Sequence, residues 1–257
     1  MQDKERFLCI AKILENSSVA PTIYCMKIFA PEIAKVAKPG QFVMIYLDKG
    51  EMLLPRPISI CHADEKTCMV EFMYQVVGAG TDAMSKMEAM CEVRILGPLG
   101  NGFYMKENLR HVAIVGGGIG VPPLYYLAKA LKVANVRMDI YLGFRSMPIL
   151  VDKFGEFATL GENLHIATDD GSFGHHGRVT DVLKNQGYDE IMACGPQPLL
   201  QALAKFSQAE GVPCQISMEQ RMACGIGTCV GCAIKTGDTY ARCCCEGPVF
   251  YSDKVEF

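Results

Sequence analysis

Three cysteines in one tight glycine-rich loop set the strongest constraint on this chain. CGIGTCVGC runs from Cys224 to Cys232 and gives the spacing Cys-x4-Cys-x2-Cys. A run of Cys243, Cys244 and Cys245 follows, leading straight into EGPVF. The stretch from residue 213 onward is too short to close a core unaided and needs a staple. Cys224-x4-Cys229-x2-Cys232 with a later fourth Cys is the plant-type [2Fe–2S] spacing, in which four thiolates hold two irons. Gly225, Gly227 and Gly231 let the backbone wrap closely and aim N–H groups at the sulfurs. A structural zinc site also takes four thiolates, but its ligands usually come as two separated C-x2-C pairs rather than three in one loop. Spacing alone does not choose the fourth ligand among Cys243, Cys244 and Cys245.

The tail belongs to a chain of 257 residues, half of them apolar, with a net charge of -3. That length suits one large domain or two to three small ones. The charge gives no electrostatic footprint for nucleic acid. Thirteen cysteines would suggest disulfides in a secreted protein. The opening MQDKERFLCIAKILENSS carries charges on both sides of a short mixed segment and no uninterrupted apolar stretch, which argues against a signal peptide. A reducing cytoplasm is therefore expected. Cys9, Cys25, Cys61, Cys68, Cys91, Cys194 and Cys214 read as buried small hydrophobes. The longest uncharged run, Val112 to Ala128, contains four glycines and two adjacent prolines and is too short to suggest a membrane span.

Up to about residue 100 the chain reads as short strands between turns. Thr22–Phe29, Gln41–Leu47 and Cys68–Val76 alternate, and Pro39-Gly40, Asp48-Lys49-Gly50 and Gly97-Pro98 punctuate them. Such spacing indicates a barrel or sandwich. Thr81–Met90 is the one helical-looking piece there. From His111 the texture changes to strands alternating with helices, which implies a parallel sheet. HVAIVGGGIG, MDIYLGF, LHIATDD and EIMACG hold the strands; VTDVLKN and PLLQALAKFSQAEG read as helices; QISMEQ reads as a last strand or a linker. The expected fold class is α+β multidomain: an antiparallel β-barrel over 1–105, a parallel-sheet α/β nucleotide-binding domain over 106–212 and a small [2Fe–2S] domain over 213–257.

Three loops fall at one edge of that parallel sheet. Gly116, Gly117, Gly118 and Gly120 lie between a buried strand and a helix, where backbone N–H groups meet phosphates. The spacing is not G-x-G-x-x-G, and a glycine turn alone also serves close helix–strand packing. Cys194, Gly195 and Pro196 end another strand, and Thr168–Gly174 ends a third, at the edge where α/β folds bind ligands. Asp169 and Asp170 are equally readable as a solvated turn. His62, His175 and His176 do not make a metal site; the last two read as exposed loop.

RPISI at Arg56–Ile60, GAGT at Gly78–Thr81 and GPLGNGF at Gly97–Phe103 precede GGGIG and CGP in an order that resembles the ferredoxin-reductase superfamily. The ending EQRMACGIGTCVGC followed by C-x-E-G-P-V-F is similar to the iron–sulfur electron-transfer subunits of NAD-dependent (class 1B) dihydroorotate dehydrogenase. This resemblance covers nearly the whole chain. It implies FAD held by Arg56, Pro57, Ile58 and Ser59, with Met73, Tyr74 and Gln75 on the ribose or adenine side and Gly80 and Thr81 at the pyrophosphate. Many members have Tyr where Ile58 stands, so flavin stacking comes from elsewhere or is absent. It implies NAD at the loops of Gly116–Gly120, Asp169, Asp170 and Cys194–Pro196, an acidic residue after a strand favouring NAD over NADP. It implies cluster ligation by Cys224, Cys229, Cys232 and Cys244, the last because the family's fourth ligand stands two residues before the acid of the G-P-V-F block, here Glu246.

The implied activity is electron transfer. Dihydroorotate is oxidised on a separate FMN-containing catalytic subunit, electrons pass singly through [2Fe–2S] to FAD, and FAD delivers a hydride to NAD+, within pyrimidine synthesis. The resemblance further implies a heterotetramer of two catalytic and two electron-transfer subunits. No general acid–base residue is expected on this chain. Related FAD/[2Fe–2S] subunits of anaerobic sulfite reductase or hydrogenase complexes are the nearest alternative, then a glutamate-synthase-like transhydrogenase small subunit, whose pattern usually has Asp for one Cys. A colourless zinc-stapled nucleotide-binding module is the alternative from another class.

Overall fold

A computed structural model describes residues 5–47, 52–146 and 151–257, with side chains omitted for 151–155. The expected turn Asp48-Lys49-Gly50 lies outside the described residues. The chain divides into two compact units. The first comprises 1–102, 220–233 and 241–248, and the second comprises 103–219, 234–240 and 249–257. The tail expected as a third domain over 213–257 is thus shared between the two.

The first unit is a closed six-stranded barrel in the order β1-β2-β5-β4-β3-β6, all antiparallel. Its strands are β1 (Phe7–Ala20), β2 (Ile23–Phe29), β3 (Phe42–Tyr46), β4 (Arg56–Asp64), β5 (Met69–Gln75) and β6 (Glu92–Leu99). The 14-residue β1 is longer than the short strands expected up to residue 100 and is not among the runs quoted for them. Its signal is an alternation around Ala11 and Ile13, both buried, with Leu8, Ile10 and Leu14 facing out. Closure removes the exposed sheet edges that an open sheet would leave. Helix α1 (Pro31–Val36) starts on a proline, whose fixed φ and missing N–H suit a first helical position. Helix α2 (Ala79–Ser85) stops at Lys86, short of the expected Thr81–Met90, and Met90 takes a φ of 72°.

The second unit carries a seven-stranded sheet in the order β10-β9-β8-β7-β11-β12-β15. Here β7 is His111–Gly117, β8 Arg137–Phe144, β9 Asn163–Thr168, β10 His175–His176, β11 Glu190–Cys194, β12 Cys214–Ser217 and β15 Val249–Tyr251. All neighbours are parallel except β12 with β15. Val112, Ala113, Ile114 and Val115 on β7 are each 0% exposed, as expected of a central parallel strand covered on both faces. Each such Val or Ile contributes about 1.5–3 kcal/mol of burial. Helices α3 (Val121–Val133), α4 (Val151–Leu160), α5 (Val179–Val182) and α6 (Gln197–Glu210) make the connections. Expected as a longer helix over VTDVLKN, α5 has only four residues. Gly211 ends α6 with a φ of 66°, and its N–H reaches Ser207 O, a left-handed cap that suits glycine. QISMEQ resolves into β12, and β13 (Ala233–Thr236) with β14 (Thr239–Arg242) forms a short hairpin.

Among the seven scattered cysteines, Cys25, Cys61, Cys194 and Cys214 are buried as expected, whereas Cys9 and Cys68 are half-buried and Cys91 is exposed. Among the described residues no helix is long and apolar enough to cross a membrane.

Candidate functional site

The chain order of the second sheet creates a crevice. From β7 the chain runs out through β8, β9 and β10, then returns to place β11 on the other side of β7. Open α/β sheets bind ligands at such a switch point, outside the carboxyl ends of the strands. The two loops leaving those ends are Gly118–Gly120 after β7 and Gly195-Pro196 after β11. They touch: a Cβ on Gly120 would stand 2.6 Å from Cys194 C and from Gly195 Cα, and one on Gly195 would stand 3.0 Å from Gly117 N. The glycines are there because the two backbones approach too closely for any side chain.

A cleft of about 270 Å³ opens beside these loops, lined by Gly117, Gly118, Arg145, Asp169, Arg178 and Pro196 among others. Four of the sequence-predicted residues thus line it: Gly117, Gly118, Asp169 and Pro196. Gly116, Gly120 and Cys194 sit behind the wall, all buried. Burial and the nearby Glu219 charge push the Cys194 thiol up to about 12, so it is an inert packing group. Asp170 does not line the cleft. Its carboxylate accepts the Ser172 N–H at 2.9 Å, and that turn holds it below the usual carboxylate range. Arg145, Arg178 and Thr180 were not singled out from the sequence; GFRS directly after a buried strand, and GRVT after a glycine loop, are the signals that point to them. The start of α3 offers fewer phosphate donors than the glycine loop suggested. Pro122 and Pro123 have no N–H, and the Val121 N–H is bonded to Gly118 O.

On the first unit, Arg56, Pro57, Ile58 and Ser59 form one half-exposed run at the start of β4. The Arg56 guanidinium donates to Leu54 O and lies over Gly80, where a Cβ would overlap it. RPIS and GAGT are therefore brought together by the barrel. Thr81 is buried, and its hydroxyl is already committed: it accepts from the N–H groups of Val77 at 2.9 Å and Gly78 at 3.3 Å and donates to Gly78 O. Of the β5 residues only Gln75 is exposed. Met73 is buried, and Tyr74 stacks on Tyr24 and donates its hydroxyl to Asn16 Oδ1 at 2.9 Å. Asn16 in turn donates to Met84 O and Met87 O, so Tyr74 supports the segment ending α2.

The cysteine loop packs on the same barrel. Gly225 and Gly227 have φ of 70° and 85°, left-handed values that favour glycine. A Cβ on Gly225 would stand 2.6 Å from Met44 Cγ and 3.1 Å from Leu99 Cδ1. Met44 on β3 pairs with Pro57 on β4, so the loop rests on the strand adjoining the RPIS strand. Cys224 Sγ accepts the N–H groups of Ile226 at 3.4 Å and Cys229 at 3.5 Å. Partial burial opposes its thiolate, but these donors outweigh that and take Cys224 down to about 6. Cys224 interacts with Cys229, and Cys244 interacts with both Cys232 and Cys245. Among the described residues no three His, Cys, Asp or Glu side chains gather around one point. A [2Fe–2S] cluster with four Cys ligands needs two thiolates on each iron, and the donor set fits it. Burial, then the Cys232 and Cys245 sulfurs, push the Cys244 thiol up.

The CCC turn is clamped. Glu246 accepts from the Arg242 backbone N–H at 2.7 Å, from its Nε at 3.0 Å and from its Nη2 at 2.5 Å. Arg242 Nη1 also donates to Gly227 O at 3.0 Å. Asn101 Nδ2 donates to Cys245 O and Glu246 O. The acid before GPVF thus holds the Cys243–Cys245 turn against the Cys224–Cys232 loop.

Known proteins resemble this chain along nearly its whole length. The iron–sulfur cluster binding domain of dihydroorotate dehydrogenase B matches residues 219–256. The dihydroorotate dehydrogenase B (NAD(+)) electron transfer subunit of Clostridium acetobutylicum is 42% identical over 253 residues, covering 98% of each chain. The chain belongs to this family of electron transfer subunits. The dihydroorotate dehydrogenase B subunit of the same name from Caldanaerobacter subterraneus is likewise 42% identical, over 96% of this chain and 98% of its own. A chain from an NADH-dependent reduced ferredoxin–NADP oxidoreductase superimposes with a TM-score of 0.86 at 30% identity, covering 100% of this chain and 91% of that one. A ferredoxin NADP+ reductase from Neisseria gonorrhoeae, with FAD and NADP bound, shares the fold at a TM-score of 0.67 and 18% identity, over 79% and 92% of the two chains.

Proposed function

We propose that this chain carries electrons from an FMN-containing, dihydroorotate-oxidising partner to NAD+, as a step of pyrimidine synthesis in the cytoplasm. The observation that carries the reading is the seat of the cysteine loop on β3, beside the strand of Arg56–Ser59. Cys224, Cys229, Cys232 and Cys244 hold the cluster, Arg56–Ser59 with Gly80 and Thr81 border the flavin, and the cleft at Gly117, Gly118, Asp169 and Pro196 takes NAD. Bound there, [2Fe–2S] and FAD supply the change from one-electron to two-electron chemistry, and the protein supplies position and potential.

The chain's own contributions follow from its geometry. N–H donors to Cys224 Sγ favour its thiolate, the form that binds a metal. Arg56 brings a fixed positive charge to the barrel rim, suited to a pyrophosphate. Arg145 and Arg178 do the same in the nucleotide cleft, while the Asp169 carboxylate there accepts from ribose hydroxyls and repels a 2′-phosphate. Met73 and Tyr74, buried, contribute through main chain. The assembly is a heterotetramer of two subunits of each kind.

The test is to purify the chain anaerobically with its partner, add dihydroorotate and NAD+, and follow NADH absorbance. NADH formation that disappears when the partner is stripped away establishes the reading. No NADH, with both cofactors present and NADH still bleaching the flavin, moves the partner to a sulfite-reductase or hydrogenase complex.

A further inference from the structure

The three adjacent thiols do not occupy equivalent positions. Cys243 is 0% exposed, and its backbone N–H donates to Cys232 O at 3.1 Å, which ties that residue to the core of the turn. Cys244 and Cys245 both turn toward the cluster loop. Their sulfurs are 3.7 Å apart. Cys245 Sγ lies 2.5 Å from where a Cβ on Gly227 would stand, so it nests in the space that glycine leaves between Cys224 and Cys229. A metal bound to one of these sulfurs at about 2.3 Å is therefore within short reach of the other. A change of side-chain rotamer is the motion required to exchange one for the other. The backbone need not follow, because the turn is pinned by the N–H groups of Cys245, Glu246 and Gly247 on Arg242 O and by the Arg242–Glu246 pair.

We propose that Cys245 is an alternate fourth ligand of the cluster, able to take the iron coordination of Cys244 when that sulfur leaves. This rests on the assignment of Cys224, Cys229, Cys232 and Cys244 as the resting ligands. The exchange is redox-neutral: Cys245 loses a proton as its sulfur binds iron, and Cys244 takes one up as its sulfur departs. No oxidant or reductant is consumed. The consequence is a cluster that survives transient loss of one protein ligand, since the replacement thiol already lies against the loop at Gly227. Cys243, locked in the core, takes no part.

Four proteins decide the matter: the full chain, Cys244→Ala, Cys245→Ala and the double variant, each purified anaerobically and reconstituted with iron and sulfide. Iron and sulfide content and visible circular dichroism are read, with bound flavin as the measure of a folded barrel. The expected result is that C245A matches the parent, C244A keeps its iron with shifted dichroism bands, and the double variant loses iron while keeping flavin. A C244A protein that retains flavin but no iron overturns the proposal. If C244A does not fold, the rate at which a chelator strips iron from C245A decides instead. Faster release than from the parent supports recapture by Cys245, and an unchanged rate overturns it. A parent chain that binds zinc and no sulfide sinks the cluster assignment itself, a result distinct from any of these.

Discussion

Gly120→Ala isolates the close approach of the two nucleotide-side loops. Gly120 has a φ of -77° and ψ of -9°, an ordinary conformation for alanine, so no backbone strain enters. The added methyl would stand 2.6 Å from Cys194 C, Cys194 O and Gly195 Cα, and ordinary contact begins at 3.4 Å. The atoms it meets are backbone, so the loops after β7 and β11 must part by most of an ångström. Overpacking of this kind costs about 1–3 kcal/mol. A misplacement near 1 Å in a reacting geometry can cost about 10²-fold. The expected outcome is a fall of about tenfold to a hundredfold in kcat/KM for NADH-driven flavin reduction, while flavin content and the cluster spectrum stay at parental levels. Gly118→Ala is the matched control. Gly118 has a φ of 52° and nothing within 4 Å of its Cβ position, so it meets left-handed strain of about 1–2 kcal/mol without a collision. Stopped-flow bleaching of the flavin by NADH reads both. If G120A reduces at the parental rate, the contact between the two loops does not shape the nucleotide site.

Other consequences follow from named contacts. Glu246→Gln removes the carboxylate that holds Arg242 by three hydrogen bonds; a chelator is expected to bleach its cluster several-fold faster than the parent's, with flavin content unchanged. Arg56→Ala withdraws the charge over Gly80; losing a hydrogen bond to a charged group costs about 1.5–3 kcal/mol, so equilibrium dialysis should show FAD bound about tenfold to a hundredfold more weakly. Asp139 is buried and accepts from Asn163 Nδ2 at 2.8 Å and the Tyr188 hydroxyl at 2.9 Å, with His111 Nε2 at 3.1 Å. Burial opposes its charge, but these partners hold its carboxyl below the usual range. Its contribution is therefore full above the unfolded carboxyl pKa of about 3.9 and is lost as pH falls through the lower folded value. Asp139→Asn should cost about 3 kcal/mol at pH 7 and progressively less below pH 4, measured by denaturant unfolding of the second unit's signal.

Much of this was legible in the residues, for physical reasons that differ from place to place. The β7 strand was readable because a central parallel strand must be apolar on both faces, and VAIV is. The β1 strand was not, because its outward face carries Leu8, Ile10 and Leu14 alongside Lys12 and Glu15, which blurs the alternation. Glycine loops announced the nucleotide crevice, but which residues line it depends on strand order. Gly117 and Asp169 reach the cleft, while Gly116 and Asp170, one residue away, do not. Arg145 and Arg178 have only a weak local signal, a strand end and a glycine loop before them, and that they share one cleft depends on the fold. Thr81 and Tyr74 show the reverse case. Their residue types fit a ligand site, yet the structure spends the Thr81 hydroxyl on Val77 and Gly78 and the Tyr74 hydroxyl on Asn16.

The tail shows most clearly why domain limits resist a linear reading. Composition marks residues 213–257 as one cysteine-rich block, and its shortness demands a staple. The structure meets that demand without making the block a domain. β12 and β15 extend the parallel sheet, with Gln215 opposite Tyr251 and Ser217 opposite Val249. Residues 220–233 and 241–248 join the barrel instead, through Gly225 against Met44 and Leu99 and through Asn101 beside Gly247 and Pro248. The cluster loop therefore takes its core from the flavin-side barrel rather than building one. That borrowing has a functional consequence. A loop packed on β3, one strand from Arg56–Ser59, is fixed in distance from the proposed flavin site by the barrel itself.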